Sequence, residues 1–288
     1  MWGSPISTWQ NLAKTRNYGV EATITSHNIQ NKDFTWSTTL TATWSKERIV
    51  SMPIETGYYL DTTNGKNLFV GKAINSFYGY KYAGIWSTAE AEDAAKYGSE
   101  PGLIKVETIE KDGDGGVHPY GTDDRMVLGH SNPNWVLGFT NNFTYKGFDL
   151  SIHTMARLGQ MIQSDMLSRY TASDDITVNQ IAGTDYWTEN NQGAYFPRPG
   201  SAKKQSAYYS ALTFVDGSFF KIKNITLGYT LPTNLVKKAF MERVRFYATA
   251  YNPVIFCKSI LKDTDPETGG SDAFPTYREF VFGVNVTF

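Results

Sequence analysis

Carboxylates at alternate positions ahead of glycine can wrap a hard, oxygen-preferring cation, as in the first half of an EF-hand loop. Glu110-Lys111-Asp112-Gly113-Asp114-Gly115 has that arrangement. Glu110, Asp112 and Asp114 are therefore candidate ligands, with Ca2+ the ion that suits them; a solvated acidic turn would show the same residues. Asp123-Asp124 and Asp174-Asp175 are also acidic, but neighbouring residues on a strand or loop point apart, so neither makes the facing pair a glycosidase needs. His27, His118, His130 and His153 lack zinc spacing, and no serine sits in a G-x-S-x-G elbow. No catalytic residue is expected. Cys257, the single cysteine, has no internal disulfide partner and reads as packing. Tyr186, Trp187, Tyr195, Phe196, Tyr208 and Tyr209 crowd the longest connection. Their faces suit stacking on a sugar ring or on a partner's lid, and equally suit packing among themselves or an interfacial girdle.

Strands must position these groups. Phe34, Trp36, Leu40, Ala42 and Trp44 share one parity, interrupted only by Thr38, and Thr35, Ser37, Thr39, Thr41, Thr43 and Ser45 fill the other. Period two separates these sets completely, where a helix would scatter them. Tyr18, Val20, Ala22 and Ile24 alternate in the same way upstream, and Gln30-Asn31-Lys32-Asp33 joins the two runs as a hairpin. A second hairpin turns at Lys146-Gly147. Its first arm sets Trp135, Leu137, Phe139, Phe143 and Tyr145 on one face, broken by Asn141; its second sets Phe148, Leu150, Ile152, Ala156 and Leu158, with Thr154 between them. Asp149, His153 and Arg157 all fall on the opposite face. Ile225, Leu227, Tyr229 and Leu231 also alternate, but Phe220 and Ile222 have the other parity, so a bulge is predicted near Lys223. Thr233 to Phe240 reads as a short turn or helical plug before a strand through Val244, Phe246, Ala248 and Ala250. The chain ends on Phe280-Val281-Phe282-Gly283-Val284-Asn285-Val286-Thr287-Phe288, alternating to a terminal aromatic as a transmembrane β-barrel does.

With Ala73 to Trp86 and Leu103 to Ile109 as weaker members, about nine strands of roughly ten residues result, enough for each to cross a bilayer when tilted. The predicted class is all-β: an antiparallel transmembrane β-barrel, present in part. Composition agrees. Of 288 residues, 15% are aromatic and only 19% charged. The mean hydropathy of −0.38 is too polar for helical spans but not for a barrel, where alternate strand positions and all loops face water. A net charge of −1 gives no field to attract nucleic acid. If the short turns are periplasmic, the parity of nine strands works only when Leu103 to Ile109 crosses. The connections 51 to 72, 110 to 133, 160 to 212 and 253 to 277 then lie outside the cell.

Four passages, spread over most of the chain, resemble the C-terminal part of the SusC/RagA family of TonB-dependent outer-membrane transporters. They are NLAKTRNYGVE (Asn11 to Glu21), the hairpin from Asn132-Pro133-Asn134-Trp135 to Phe148-Asp149-Leu150, SFFKIKNITLGYTLP (Ser218 to Pro232), and the terminal Phe280 to Phe288. The resemblance implies a barrel of about 22 strands around a folded plug. Residues 1 to 288 would then be a C-terminal section of that barrel, without plug or signal peptide. Met1 to Ile6 carries no basic, then apolar, export pattern, so a longer parent is expected.

The resemblance further implies outer-membrane lipid around the wall, a SusD-like surface lipoprotein as lid, and TonB acting through the missing N-terminal part. The cargo would be an oligosaccharide or peptide, and barrel assembly would run through the Phe280, Phe282 and Phe288 end. At the acidic loop the family's Ca2+-binding pattern resembles DxNGDG with a later Asp. Here Glu110 takes the first place, Asp112 stands for Asn, and His118-Pro119-Tyr120 lengthens the loop before Asp123 or Asp124. Two rival readings remain: a soluble or surface β-sandwich adhesin that binds glycans, equally aromatic and Thr-rich, and a non-functional truncated remnant.

Overall fold

The computed structural model describes residues 13–60, 67–111, 113–170, 182–201, 206–261, 264–274 and 276–288. Asn11 and Leu12 of the first resembling passage, Asp112, Asp174 and Asp175 lie outside them. Strands β1 (Lys14–Gln30) and β2 (Phe34–Ser51) form the first hairpin. The connection after β2 carries β3 (Tyr58–Leu60), β4 (Asn67–Phe69), β5 (Ser76–Gly79), β6 (Tyr82–Ile85), β7 (Ile104–Val106) and β8 (Met126–His130). The second hairpin is β9 (Trp135–Tyr145) with β10 (Phe148–Leu158), and β11 (Met161–Gln163) and β12 (Phe214–Asp216) flank the next connection. Strands β13 (Phe219–Thr230), β14 (Arg243–Phe256) and β15 (Glu279–Thr287) complete the chain.

Seven of these make one sheet in the order β1-β2-β9-β10-β13-β14-β15, antiparallel throughout, an open meander in chain order. The remaining strands pair two by two outside it, and none stacks a second large sheet against the first as a β-sandwich requires. Among the described residues the count of nine crossings therefore falls to seven. Ala73 to Trp86 and Leu103 to Ile109 break into β5, β6 and β7, of three or four residues each. Such pieces rise roughly 10 to 14 Å, about half of what a bilayer demands. Gly79 and Gly84, the latter at φ 113°, interrupt the first segment. In the second, Lys105 and Glu107 pair within the loops, with Glu90 and Lys81. Removing both segments preserves the parity, because an odd number of crossings remains. The turns 31–33, 146–147 and 231–242 share one end with Phe288, and the three long connections share the other.

Register turns the alternation of each strand into bands around the wall. Phe34, Tyr145, Phe148, Tyr229, Phe246 and Val284 lie side by side near the short turns. Val20, Trp44, Trp135 and Leu158 form a matching row near the long connections. The ten residues between Phe34 and Trp44 span about 25 Å in a strand tilted near 40°, the height of an outer-membrane apolar band. The polar interruptions Thr38, Asn141 and Thr154 of this face are internally bonded, as a lipid-facing surface requires. Thr38 Oγ1 donates to Asn141 Oδ1 at 2.8 Å and Trp36 Nε1 donates to the same oxygen at 2.9 Å. Thr154 Oγ1 donates to the Phe139 carbonyl at 3.1 Å. The predicted bulge occurs: the ladder slips between Ile222 and Asn224, which returns Phe220 and Ile222 to the apolar face.

The opposite face is lined by Thr, Ser and Asn, with cross-strand pairs such as Thr226–Thr249 at 2.9 Å and Thr140–His153 at 2.8 Å. Near the short turns, Arg245 Nε donates to Asp149 Oδ1 at 2.9 Å across the intervening β13. Only glycine permits this at position 228, since a Cβ there would lie 2.4 Å from Arg245 Nη2 and 2.5 Å from Asp149 Oδ1. Gly228→Val is expected to break the pair and lower stability by about 1 kcal/mol, the scale of a part-exposed ion pair. Denaturant titration of the detergent-folded protein measures it, with an unchanged midpoint as the contrary result.

With one face given to lipid and the other to the barrel interior, the wall buries little. The core sits instead among the long connections, where Tyr80, Ile104, Ile162, Trp187, Phe196, Leu212 and Leu261 pack together. No helix among the described residues is long and apolar enough to cross a membrane.

Candidate functional site

The acidic turn folds around a histidine. Asp114 Oδ1 accepts the backbone N–H groups of Lys111 (2.9 Å) and Gly116 (2.7 Å), while its Oδ2 lies 2.5 Å from His118 Nδ1. The other ring nitrogen, Nε2, is 2.9 Å from Oδ1 of the fully buried Asp124. Asp124 also accepts from the backbone of Gly121 and Ile109, and Lys111 Nζ stands 3.4 Å away. With a carboxylate at each nitrogen, both ring positions must donate, so the geometry selects the imidazolium. The Asp124 hydrogen bond is the main cause of a raised His118 pKa. Asp114 is lowered by its backbone N–H bonds, those from Lys111 and Gly116, with His118 adding to them. For Asp124, burial pushes upward but the Gly121 N–H and His118 outweigh it.

The structure thus gathers one residue of the expected cation shell. Asp114 joins the cluster, whereas Glu110 and Asp123 face solvent and Asp112 lies outside the described residues. Among the described residues no group of three or more His, Cys, Asp or Glu is arranged to hold a metal ion. Sequence reasoning weighed Asp124 beside Asp123 as the later acidic position but did not single out His118 and Lys111 as its partners. The insertion of His118 between Asp114 and Asp124 was the available signal.

The aromatic residues of the longest connection divide. Trp187, Phe196 and Tyr209 are buried in the loop core, while Tyr186 is exposed. Tyr195 donates its hydroxyl to the Leu212 carbonyl at 3.1 Å, and burial pushes its pKa up to about 12. Tyr208 donates to the Tyr120 carbonyl at 3.2 Å and joins a ring ladder: Tyr80 to Tyr208 at 4.8 Å, Tyr208 to Tyr120 at 5.4 Å, Tyr120 to Tyr97 at 5.5 Å. A cleft of about 400 Å³ opens beside Tyr97, Glu100, Tyr120 and Tyr208, and another of about 230 Å³ beside Tyr195 and Phe196.

A second fixture ties the last long connection to the wall. Lys221 is 1% exposed on the inner face of β13. Its ammonium meets Asp265 and, at 2.8 Å, Glu267 Oε2; Lys223 reaches Glu267 Oε1 at 2.9 Å. Burial pushes Glu267 upward, but the two lysines hold it below the ordinary glutamate range. Local sequence makes this turn. Asp265 caps the segment Pro266–Thr268 by accepting from the Glu267 N–H at 3.0 Å, and Gly269 ends it at φ 73°. Gly270, at φ 97°, lets the backbone approach Gln163 so closely that a Cβ would lie 2.1 Å from its carbonyl. Leu261 is fully buried in the loop core. The connection is thereby fixed both to the barrel wall and to the loop layer.

Glu90 holds the hairpin of β6 and β7. Its Oε1 accepts from Lys105 Nζ at 2.7 Å, and the Lys105 ammonium lies 4.2 Å from the Trp86 ring centre. The Lys105 bond, then the Ser87 N–H, depress the Glu90 pKa to about 2. A depressed carboxylate contributes stability above its unfolded value and loses it as pH falls through the folded one. Acidification from about 4.5 to about 2 should therefore perturb Trp86 fluorescence, and Glu90→Gln should remove that step. A step that persists in the variant would assign it elsewhere.

No protein-family model matches the chain. Over 97% of its length it is 28% identical to TonB-dependent receptor P3 of Formosa agariphila, of which it covers 29%. It is also 28% identical, again over 97% of its length, to TonB-dependent receptor SusC of Bacteroides thetaiotaomicron, covering 27% of that protein. The chain spans a little under a third of these relatives. Among solved structures it matches the RagAB peptide transporter with a TM-score of 0.75 and 22% identity, over 97% of this chain and 30% of that one. The shared fold is an outer-membrane barrel wall, and the open sheet agrees with a partial barrel. Along nearly its whole length the chain is thus similar to one section of TonB-dependent receptors of the SusC/RagA type and shares the fold of their barrel wall.

Proposed function

We propose that these residues supply wall, inner lining and extracellular loops to an outer-membrane importer that takes up oligosaccharide or peptide. TonB supplies the energy through the plug-bearing part of the parent protein, and a SusD-like lipoprotein covers the loop end. The observation that carries this reading is the asymmetry of the sheet. Its outer face is an apolar band between aromatic rows, its inner face is polar, and a folded loop layer stands at one end only. Transport needs no reactive group from these residues; their part is to shape a passage and close it. The exposed strand bearing Phe280 and Phe282, with Phe288 just beyond it, serves recognition by the assembly machinery.

The test is uptake of labelled oligosaccharide and labelled peptide by cells with and without the gene, alongside outer-membrane fractionation. Loss of one uptake activity, with an outer-membrane band above 32.3 kDa, supports the proposal. A soluble band, or uptake unchanged for both cargoes, would overturn it. For the acidic loop we infer a self-neutralised turn, because His118 and Lys111 supply the positive charge between Asp114 and Asp124. Added Ca2+ should leave its thermal unfolding unchanged; a stabilisation that disappears in Asp114→Asn would restore the cation reading.

A further inference from the structure

Above the upper aromatic row the outer face of β1 and β2 becomes cationic. Tyr18, Trp44 and Trp135 form the row, with ring centres 5.8 Å apart for the first pair and 6.3 Å for the second. Along β2, Lys46 and Arg48 continue the parity of Trp44 and are exposed, while Glu47 and Ile49 turn to the covered face. Two and four residues beyond Trp44 correspond to about 5 and 10 Å above the apolar band in a tilted strand, the depth of lipid headgroups. On β1, Arg16 lies directly opposite Arg48, and Tyr18 opposite Lys46.

Like charges directly opposed across a ladder are destabilising. Among the described residues no carboxylate relieves them. The outward positions of the two strands in this stretch, Arg16, Tyr18, Val20, Lys46, Arg48 and Val50, include no acid. Among the described residues none of the three cations makes an ion pair. An exposed guanidinium pair at headgroup height, beside interfacial aromatics, calls for an anion from the membrane. Guanidinium forks suit phosphate oxygens.

We propose that Arg16, Lys46 and Arg48 form a binding patch for a phosphate-bearing lipid headgroup in the leaflet at the long-connection end. The inference rests on the membrane reading of the wall but is independent of cargo and of TonB. The headgroup phosphate bridges Arg16 and Arg48, Lys46 contributes a third donor, and the acyl chains lie along Val20, Trp44 and Trp135. The patch thereby relieves its own repulsion and fixes the height of this part of the barrel in the bilayer.

Native mass spectrometry of the full protein in neutral detergent tests this, with phosphatidylglycerol, a bis-phosphorylated glycolipid and phosphatidylcholine as probes. Arg16→Gln/Lys46→Gln/Arg48→Gln is expected to retain about tenfold less of both phosphate-rich anionic lipids, with phosphatidylcholine unaffected. Lys237→Gln/Lys238→Gln, at the short-turn end, should match wild type. Inorganic phosphate should not displace the lipid, whereas added salt should weaken it. Without lipid the triple variant should melt no lower than wild type, since it loses a repulsion. Equal lipid retention by wild type and triple variant, an equal loss in the lysine control, or displacement by inorganic phosphate would each overturn the proposal. A chain that did not partition into detergent at all would instead remove the membrane reading beneath it.

Discussion

Lys221→Met will destabilise the protein by about 3 kcal/mol and release the connection between β14 and β15 from the barrel interior. The cost arises from burial. Removing one partner of a buried ion pair leaves an uncompensated charge, at a cost of about 3 to 5 kcal/mol, and the lower end applies because Lys223 still reaches Glu267. Asp265 loses its ammonium altogether, and its carboxylate also caps the turn Pro266–Thr268. Thermal unfolding in detergent and limited proteolysis at 264–274 measure the two consequences. Lys221→Met combined with Asp265→Asn and Glu267→Gln should recover most of the stability without the attachment, because no unpaired charge remains. Equal melting temperatures for wild type and Lys221→Met would show that the ammonium contributes nothing net. In the transporter proposed here, release of the attached connection should also alter uptake.

Phe139→Arg should cost about 2 to 4 kcal/mol, while Asn142→Arg on the other face of the same strand should change stability little. Phe139 is 40% exposed and is paired with Leu40 and Thr154, midway between the two aromatic rows. A guanidinium there meets the hydrocarbon centre, with only a long side chain to reach the interface. Asn142, between Ser37 and Ser151, faces the polar interior, where a cation stays hydrated. Equilibrium unfolding from lipid vesicles measures both variants. Equal effects at 139 and 142 would mean that the two faces see the same solvent, and the barrel reading would fail. In water-soluble form the sheet would show the opposite order, since Phe139→Arg would then improve solubility.

Much of the wall was legible from residue order because strands record their environment locally. Thr35, Ser37, Thr39, Thr41 and Thr43 alternating with Phe34, Trp36, Leu40, Ala42 and Trp44 identify two solvents a few ångströms apart. Lys146-Gly147 and the change of parity at Lys223 gave a hairpin and a bulge at the positions where they occur. Ala73 to Trp86 and Leu103 to Ile109 misled because short apolar alternation looks the same whether a segment crosses a bilayer or pairs over three residues inside a loop. Length, glycine breaks and ion-pair partners separate the cases, and the partners lie far away in sequence.

The chain by itself determined the seven long strands of the wall, their faces and their alternate direction, since each depends on residues one or two positions apart. Tertiary structure alone decided which charges meet. Lys221 finds Asp265 and Glu267 across more than forty positions, His118 rather than a cation comes to stand between Asp114 and Asp124, and Arg16 is set against Arg48. It also decided that Trp187, Phe196 and Tyr209 are core, because a polar, Gly-rich connection does not show in its order which rings it will enclose. Such contacts depend on register and loop closure, and periodicity carries information about neither.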